Sequence, residues 1–203
     1  MPTRPTPGSS TEGRVALRRI LPDTNVCYPI SLLDLLLRLD EVSLHEIVWT
    51  EDLLGELADK WVERGIRSRE AAEKLCDDIR VAFVGQDVPR EDYEGLIPMM
   101  PGRDPDDRRH AAAAAARAPT TVITRNVRDF PSKPLAQLGV SVRRPDDYLI
   151  ELFEEYPGQV TAVVIEMAAD RHQPPMSPQD VLGALARSGV PVFARRVGQR
   201  LLE

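Results

Sequence analysis

Short apolar runs of strand length alternate with helix-length amphipathic segments from residue 15 to about residue 143. That alternation constrains the chain more than any other feature, because successive strands separated by helices pair in parallel and are covered on both faces. Val15–Leu21 reads as a buried first strand with Asp23 at its C-terminal end. Pro29 can open a helix whose leucines, Leu32 to Leu39, carry it to about Asp40. Residues 46–49 form a short strand, and Thr50, followed by Glu51 and Asp52, caps the helix marked by Leu53, Leu54, Leu57 and Trp61. Ser68 caps the next helix, and a short strand is expected around Val81–Val84. Residues 86–103 read as loop with one turn of helix. Asp104-Pro105 starts a helix with an unbroken alanine run from Ala111 to Ala116. Residues 120–124 and 140–142 are the remaining strands, with a short helix stopped by Gly139 between them. The expected fold class is therefore α/β with a central parallel sheet.

From Pro145 onward the pattern becomes helical, with starts at Ser177-Pro178 and Pro191 and a basic C-terminal end (Arg187, Arg195, Arg196, Arg200). The expected organisation is a tail over residues 1–14, an α/β domain over 15–150 and a helical extension over 151–203. The Pro-, Ser-, Thr- and Gly-rich tail lacks an apolar core and reads as disordered, not as a signal peptide. No uncharged apolar run approaches the roughly 18 residues that span a bilayer. Cys27 and Cys76 have no metal-type spacing and read as reduced, buried cytosolic thiols. A net charge of −6 argues against a surface that grips nucleic acid everywhere, yet leaves room for a local basic rim.

Four carboxylates fall at strand edges or early in helices: Asp23, Glu56, Asp107 and Asp129. An open α/β sheet gathers its ligands there. Several carboxylates in one pocket oppose joint ionisation unless a cation compensates, so the grouping points to Mg2+ or Mn2+. Each acid has a competing structural reading. Asp23 suits a turn or a helix cap, Glu56 an exposed pair with Lys60, and Asp129 a turn before Phe130. Asp107 has capping-box spacing from Asp104, and Asp106 competes with it for a functional role.

Taken in order, the segments Leu-Pro-Asp-Thr-Asn (21–25), Trp-Thr-Glu-Asp-Leu-Leu-Gly-Glu (49–56), Asp-Pro-Asp-Asp-Arg-Arg-His-Ala-Ala-Ala (104–113) and Ile-Thr-Arg-Asn-Val-Arg-Asp-Phe (123–130) resemble the motifs of PIN-domain ribonucleases. The resemblance covers roughly residues 17–150. Within that family the chain is most similar to VapC-type toxins of bacterial toxin–antitoxin modules, in the subgroup with a C-terminal helical segment. It implies a PIN-like three-layer α/β/α fold and metal-dependent cleavage of RNA by activated water. Asp23, Glu56 and Asp107 match the family's acids and Asp129 its more variable fourth. Many members place an Asp where this chain has Asn126, so Asn126 and Asp129 compete for the fourth position. Asn25, Thr124 and Asn126 are expected to support the site, Thr124 matching the family's small hydroxyl. The expected cofactor is Mg2+ or Mn2+. The expected partners are an RNA substrate, a cognate antitoxin and a second copy of the chain, all in the bacterial cytoplasm.

Arg103, Arg108, Arg109, Arg125 and Arg128 cluster near two of the acids, where they either bind RNA phosphate or balance nearby charge. His45, His110 and His172 lie in no metal-ligand spacing and read as structural or exposed. Two rivals come from other classes. A haloacid-dehalogenase-type phosphatase also places an Asp after its first strand but needs a second Asp where this chain has Asn25, and a phospho-receiver needs an early acidic pair, a central phosphoacceptor Asp and a late strand-end Lys, which residues 120–128 lack. A catalytically silent PIN-like binding protein is the third rival.

Overall fold

The computed structural model describes residues 17–102 and 104–202. The tail expected over residues 1–14, Val15 and Ala16 of the expected first strand, and Arg103 lie outside these residues. Among the described residues, four strands form one parallel sheet, β1 (Arg19–Pro22), β2 (Glu46–Ile47), β3 (Thr120–Ile123) and β4 (Val140–Arg143), in the order β2-β1-β3-β4. In register, Ile20 faces Ile47, Leu21 faces Val122, and Val122 faces Val142. Neighbouring residues on β1 and β3 serve opposite faces, as a period of two requires. Ile20 and Ile123 join one apolar cluster, while Leu21 and Val122 join another. The sheet is thus covered on both sides, giving the three-layer α/β/α arrangement with helices beyond it.

Local signals set most of the helix starts. After a short turn of helix, α1 (Thr24–Cys27), α2 runs Ile30–Glu41 and buries Leu32, Leu33, Leu35, Leu36 and Leu39. In α3 (Glu51–Glu63) the Thr50 hydroxyl accepts from the Leu53 amide at 3.0 Å, and Glu51 and Asp52 complement the helix dipole. In α4 (Arg69–Ala82) Ser68 does the same for Ala71. The strand expected at 81–84 does not form. α4 continues through Val81 and ends at Ala82, leaving Val81 and Val84 77% and 79% exposed. The buried face of α4 is Ala72, Cys76 and Ile79, so helical periodicity overrides the β-branched run. Residues 86–102 hold α5 (Arg90–Tyr93) and a 3-10 segment, Glu94–Met99.

α6 (Pro105–Ala116) starts at Asp104-Pro105 and lies against β3, β1 and β4. Its buried face from Ala111 to Ala114 presents only methyl groups to Leu21, Val122 and Val140. α7 (Ser132–Gln137) is followed by Gly139 at φ 74°, whose amide returns to the Ala136 carbonyl. α8 (Pro145–Glu155), α9 (Pro157–Ala169), α10 (Pro178–Arg187) and α11 (Pro191–Arg200) follow, each opened by proline. Their apolar faces, including Leu152, Val160, Val164, Leu185 and Phe193, join the same buried cluster as Leu32, Leu36, Ile20 and Ile123. No helix among the described residues is long and apolar enough to cross a membrane. Cys27 and Cys76 are free and buried.

His45 belongs to this interior. Its Nε2 donates to the Leu36 carbonyl and its Nδ1 accepts from the Tyr148 hydroxyl, both at 2.9 Å. Burial holds its pKa down to about 4 against the Leu36 bond, which raises it. A depressed histidine contributes stability that is complete above about pH 6.5 and is lost as pH falls toward 4. The interval corresponds to about 3 kcal/mol, as an order of magnitude. Thermal unfolding at pH 7 and 4.5 checks this: His45→Gln keeps a donor and an acceptor but cannot titrate, so it should lose less stability on acidification than the parent.

Candidate active site

In the order β2-β1-β3-β4 the connections run one way from β1 to β2 and the other way to β3 and β4. The switch point lies between β1 and β3, where an open α/β sheet forms its crevice beyond the strand C-termini. Asp23 follows β1 and Thr124 follows β3. Both are buried, at 3% and 0% exposure. The Asp23 amide donates to the Ile123 carbonyl at 2.9 Å, and the Thr124 hydroxyl donates to Asp23 Oδ2 at 2.8 Å. Asn25 Nδ2 is a longer donor to the same oxygen at 3.4 Å. The Thr124 oxygen also accepts from the Asn126 amide at 3.0 Å. Asp23 opens α1 but caps no amide with its side chain, so the capping role that competed for it is not observed.

Glu56 reaches the crevice from the second turn of α3. The Thr24 hydroxyl donates to its Oε2 at 2.8 Å, and Arg109 lies 3.5 Å from its Oε1. The pairing with Lys60 weighed from the sequence is absent. His110, fully buried on α6, stands between the acids: its Nε2 is 3.6 Å from Glu56 Oε2 and 3.9 Å from Asp23 Oδ1. Its spacing carried no metal signature, and its place at the site comes from α6 packing on the sheet. Burial works against both ionised groups, but their mutual attraction outweighs it. Glu56, Asp23 and Asp107 hold His110 above the ordinary histidine value, while His110, Thr24 and Arg109 hold Glu56 below the ordinary carboxylate value.

Asp107 does not complete a capping box. The Asp104 carboxylate accepts from the Asp106 amide instead. Burial first, and then the charges of Asp23, Asp104 and Asp129, push the Asp107 carboxyl up to about 6. Asp106 pairs with Arg109 on the exposed side. Asp129 accepts from the Asn126 side-chain amide, so the two candidates for the fourth position are bonded to each other.

The arginines divide. Arg109 is engaged by Glu56 and Asp106, which is charge balance. Arg125 donates to the Ser188 carbonyl at 2.5 Å. Arg108 lies beside Gly102, and Arg128 is exposed. Arg196 of the last helix pairs with Glu154.

Among the described residues no three His, Cys, Asp or Glu side chains close into a ready-made metal cluster. The donor set nonetheless fits a hard cation. It consists of carboxylate oxygens from three different elements, and the charge of Asp23, Asp104 and Asp129 already bears on Asp107. Mg2+ keeps several of its waters and needs only one or two direct carboxylates.

Residues 145–199 match the family model described as the VapC50 C-terminal domain. A Mycobacterium tuberculosis protein named "Putative ribonuclease VapC50" is 34% identical over 105 residues, which cover 51% of this chain and 60% of that relative. No solved structure matches the chain. The resemblance to VapC-type proteins with a C-terminal extension, read from the motifs, is supported at both levels.

Proposed function

We propose that this chain, similar to VapC-type ribonucleases and carrying the VapC50 C-terminal domain, is a metal-dependent endoribonuclease and the toxin of a toxin–antitoxin pair. The observation that carries the reading is the meeting of Asp23 and Glu56 on either side of His110 at the switch point of the sheet, Asp23 held by Thr124 and Glu56 by Thr24. Asp23, Glu56 and Asp107 would hold one or two Mg2+ or Mn2+ ions, with Asp129 or Asn126 completing the set. A bound ion supplies an activated water and charge for the departing oxygen. Thr124 fixes the orientation of Asp23, and Thr24 that of Glu56. No side-chain nucleophile is required. Exposed guanidinium groups such as Arg128 then meet the RNA backbone. The relative's name speaks of a ribonuclease, and the acids at the crevice agree with that chemistry. The toxin reading adds a cognate antitoxin that blocks the crevice, in the cytoplasm of a bacterium.

Incubation of total bacterial RNA with the purified chain tests this. Discrete fragments are expected with Mg2+ or Mn2+ and none with EDTA, with activity restored when the ion is returned. Mn2+ should also raise the melting temperature by binding the folded state alone. Cleavage that persists in EDTA overturns the metal role. A folded protein that binds the ion and RNA but never cuts would favour a silent binding module.

A further inference from the structure

One side chain ties the C-terminal helices to the loop that leaves β3. Arg125 directly follows Thr124, whose hydroxyl bridges Asp23 and the Asn126 amide. The Arg125 Nη2 donates to the Ser188 carbonyl, at the end of α10. That acceptor is fixed. The Ser188 hydroxyl is bonded to Ala184 of its own helix and lies 2.9 Å from the Ser31 hydroxyl of α2. The helix end closes as a Schellman turn, with the Val190 amide on the Leu185 carbonyl and the Gly189 amide on the Ala186 carbonyl.

Gly189 is required twice here. It sits at φ 88°, a conformation that disfavours other residues, and it lies flat under the guanidinium. A Cβ at this position would meet Arg125 Cζ, Nη2 and Nε at 3.2, 3.3 and 3.4 Å. Arg125 and Gly189 border an open cleft of about 440 Å3, lined also by Arg144, Asp146, Asp147 and Pro191. Arg125 makes no salt bridge among the described residues, so the Ser188 carbonyl is its anchor. The Asp146 carboxylate is occupied by the amides of Val192 and Phe193, which fixes α11 against the start of α8.

We infer that Arg125 is a positioning residue through which the Ser188–Gly189 turn of the extension holds loop 124–129 in register with Asp23. The extension thereby sets the place of Thr124, Asn126 and Asp129. The inference rests on reading the crevice as a nuclease site, but its first test does not need activity. The test is hydrogen exchange of the full-length protein. Arg125→Ala should raise exchange of the Asn126 and Asp129 amides by about tenfold while β1, β3 and α10 stay protected. Arg125→Lys, which can still reach an acceptor with one donor, should restore part of the protection.

Gly189→Val should loosen the same loop from the other side and add nothing to it once Arg125 is Ala, because the two act on one contact. In cleavage assays the same variants should lower kcat by about tenfold with KM unchanged, since the loop and not substrate binding is altered. Unchanged exchange at 124–129 in Arg125→Ala overturns the inference, as does full additivity with Gly189→Val. A raised KM with unchanged kcat would instead make Arg125 a substrate contact. If the parent protein cuts no RNA, the nuclease reading fails on its own and the exchange result still decides the inference.

Discussion

If the proposed metal-dependent mechanism holds, replacing Asp23 by Asn should remove RNA cleavage by about a thousandfold or more, because a bound ion held there would supply several kcal/mol of charge stabilisation. The same change should leave the melting temperature in ion-free buffer at or above that of the parent. Asp23 is 3% exposed and accepts from Thr124 and Asn25, and an asparagine has the same shape and one remaining acceptor oxygen. It also removes one of the charges that bear on Asp107. Single-turnover cleavage and thermal melts of the two proteins make the comparison. Cleavage retained within tenfold would remove Asp23 from the catalytic centre. Lost cleavage together with a collapsed melt would mean that the carboxylate is needed for folding. Glu56→Gln should behave in the same way, with a smaller change in stability because Glu56 is only partly buried.

The second large effect concerns the extension. Phe193 is completely buried on α11, edge-on to Phe153 of α8 with ring centres 6.4 Å apart. Phe193→Ala should cost about 3–5 kcal/mol. The loss should be felt by the whole chain, since the extension's core is continuous with Leu32, Leu36 and Ile20. The tryptophans give a clean reporter. Trp49 and Trp61 are both buried and both precede the extension. Urea unfolding followed by tryptophan emission and by far-ultraviolet circular dichroism should shift to a lower midpoint together, in one transition. A shift in dichroism with an unmoved tryptophan midpoint would show an extension that unfolds alone.

The signals legible in the sequence were those that act over a few residues. Thr50, Ser68, Asp104 and Ser177 mark their helices because a side-chain oxygen meets an amide two or three positions on. The strand order could be read only as alternation, yet it carried Asp23 and Thr124 to the right edge. What failed was also local. Val81 to Val84 resembles a strand by composition, but propensity is a weak guide once α4 has a buried face to complete.

The partners of the acids were out of reach, because they arrive from far along the chain. Thr24 meets Glu56 across 32 residues, and His110 meets Thr24 across 86. Histidine spacing carries no trace of such a meeting. The fate of Arg125 was hidden for the same reason: its acceptor is 63 residues away, in a helix that composition alone describes as an appendage.

The parallel pairing of β1 with β3 brings Ile20 to Thr121 and, beyond them, Asp23 to Thr124 across 101 residues. Closing so long a loop costs entropy before any contact repays it, so chains of this kind fold late around their distant pairings. Until that pairing forms, Thr124 does not stand beside Asp23. On the proposed function, a chain that has not joined its third strand to its first carries no assembled crevice, and such an unfinished molecule should be chemically inert toward RNA.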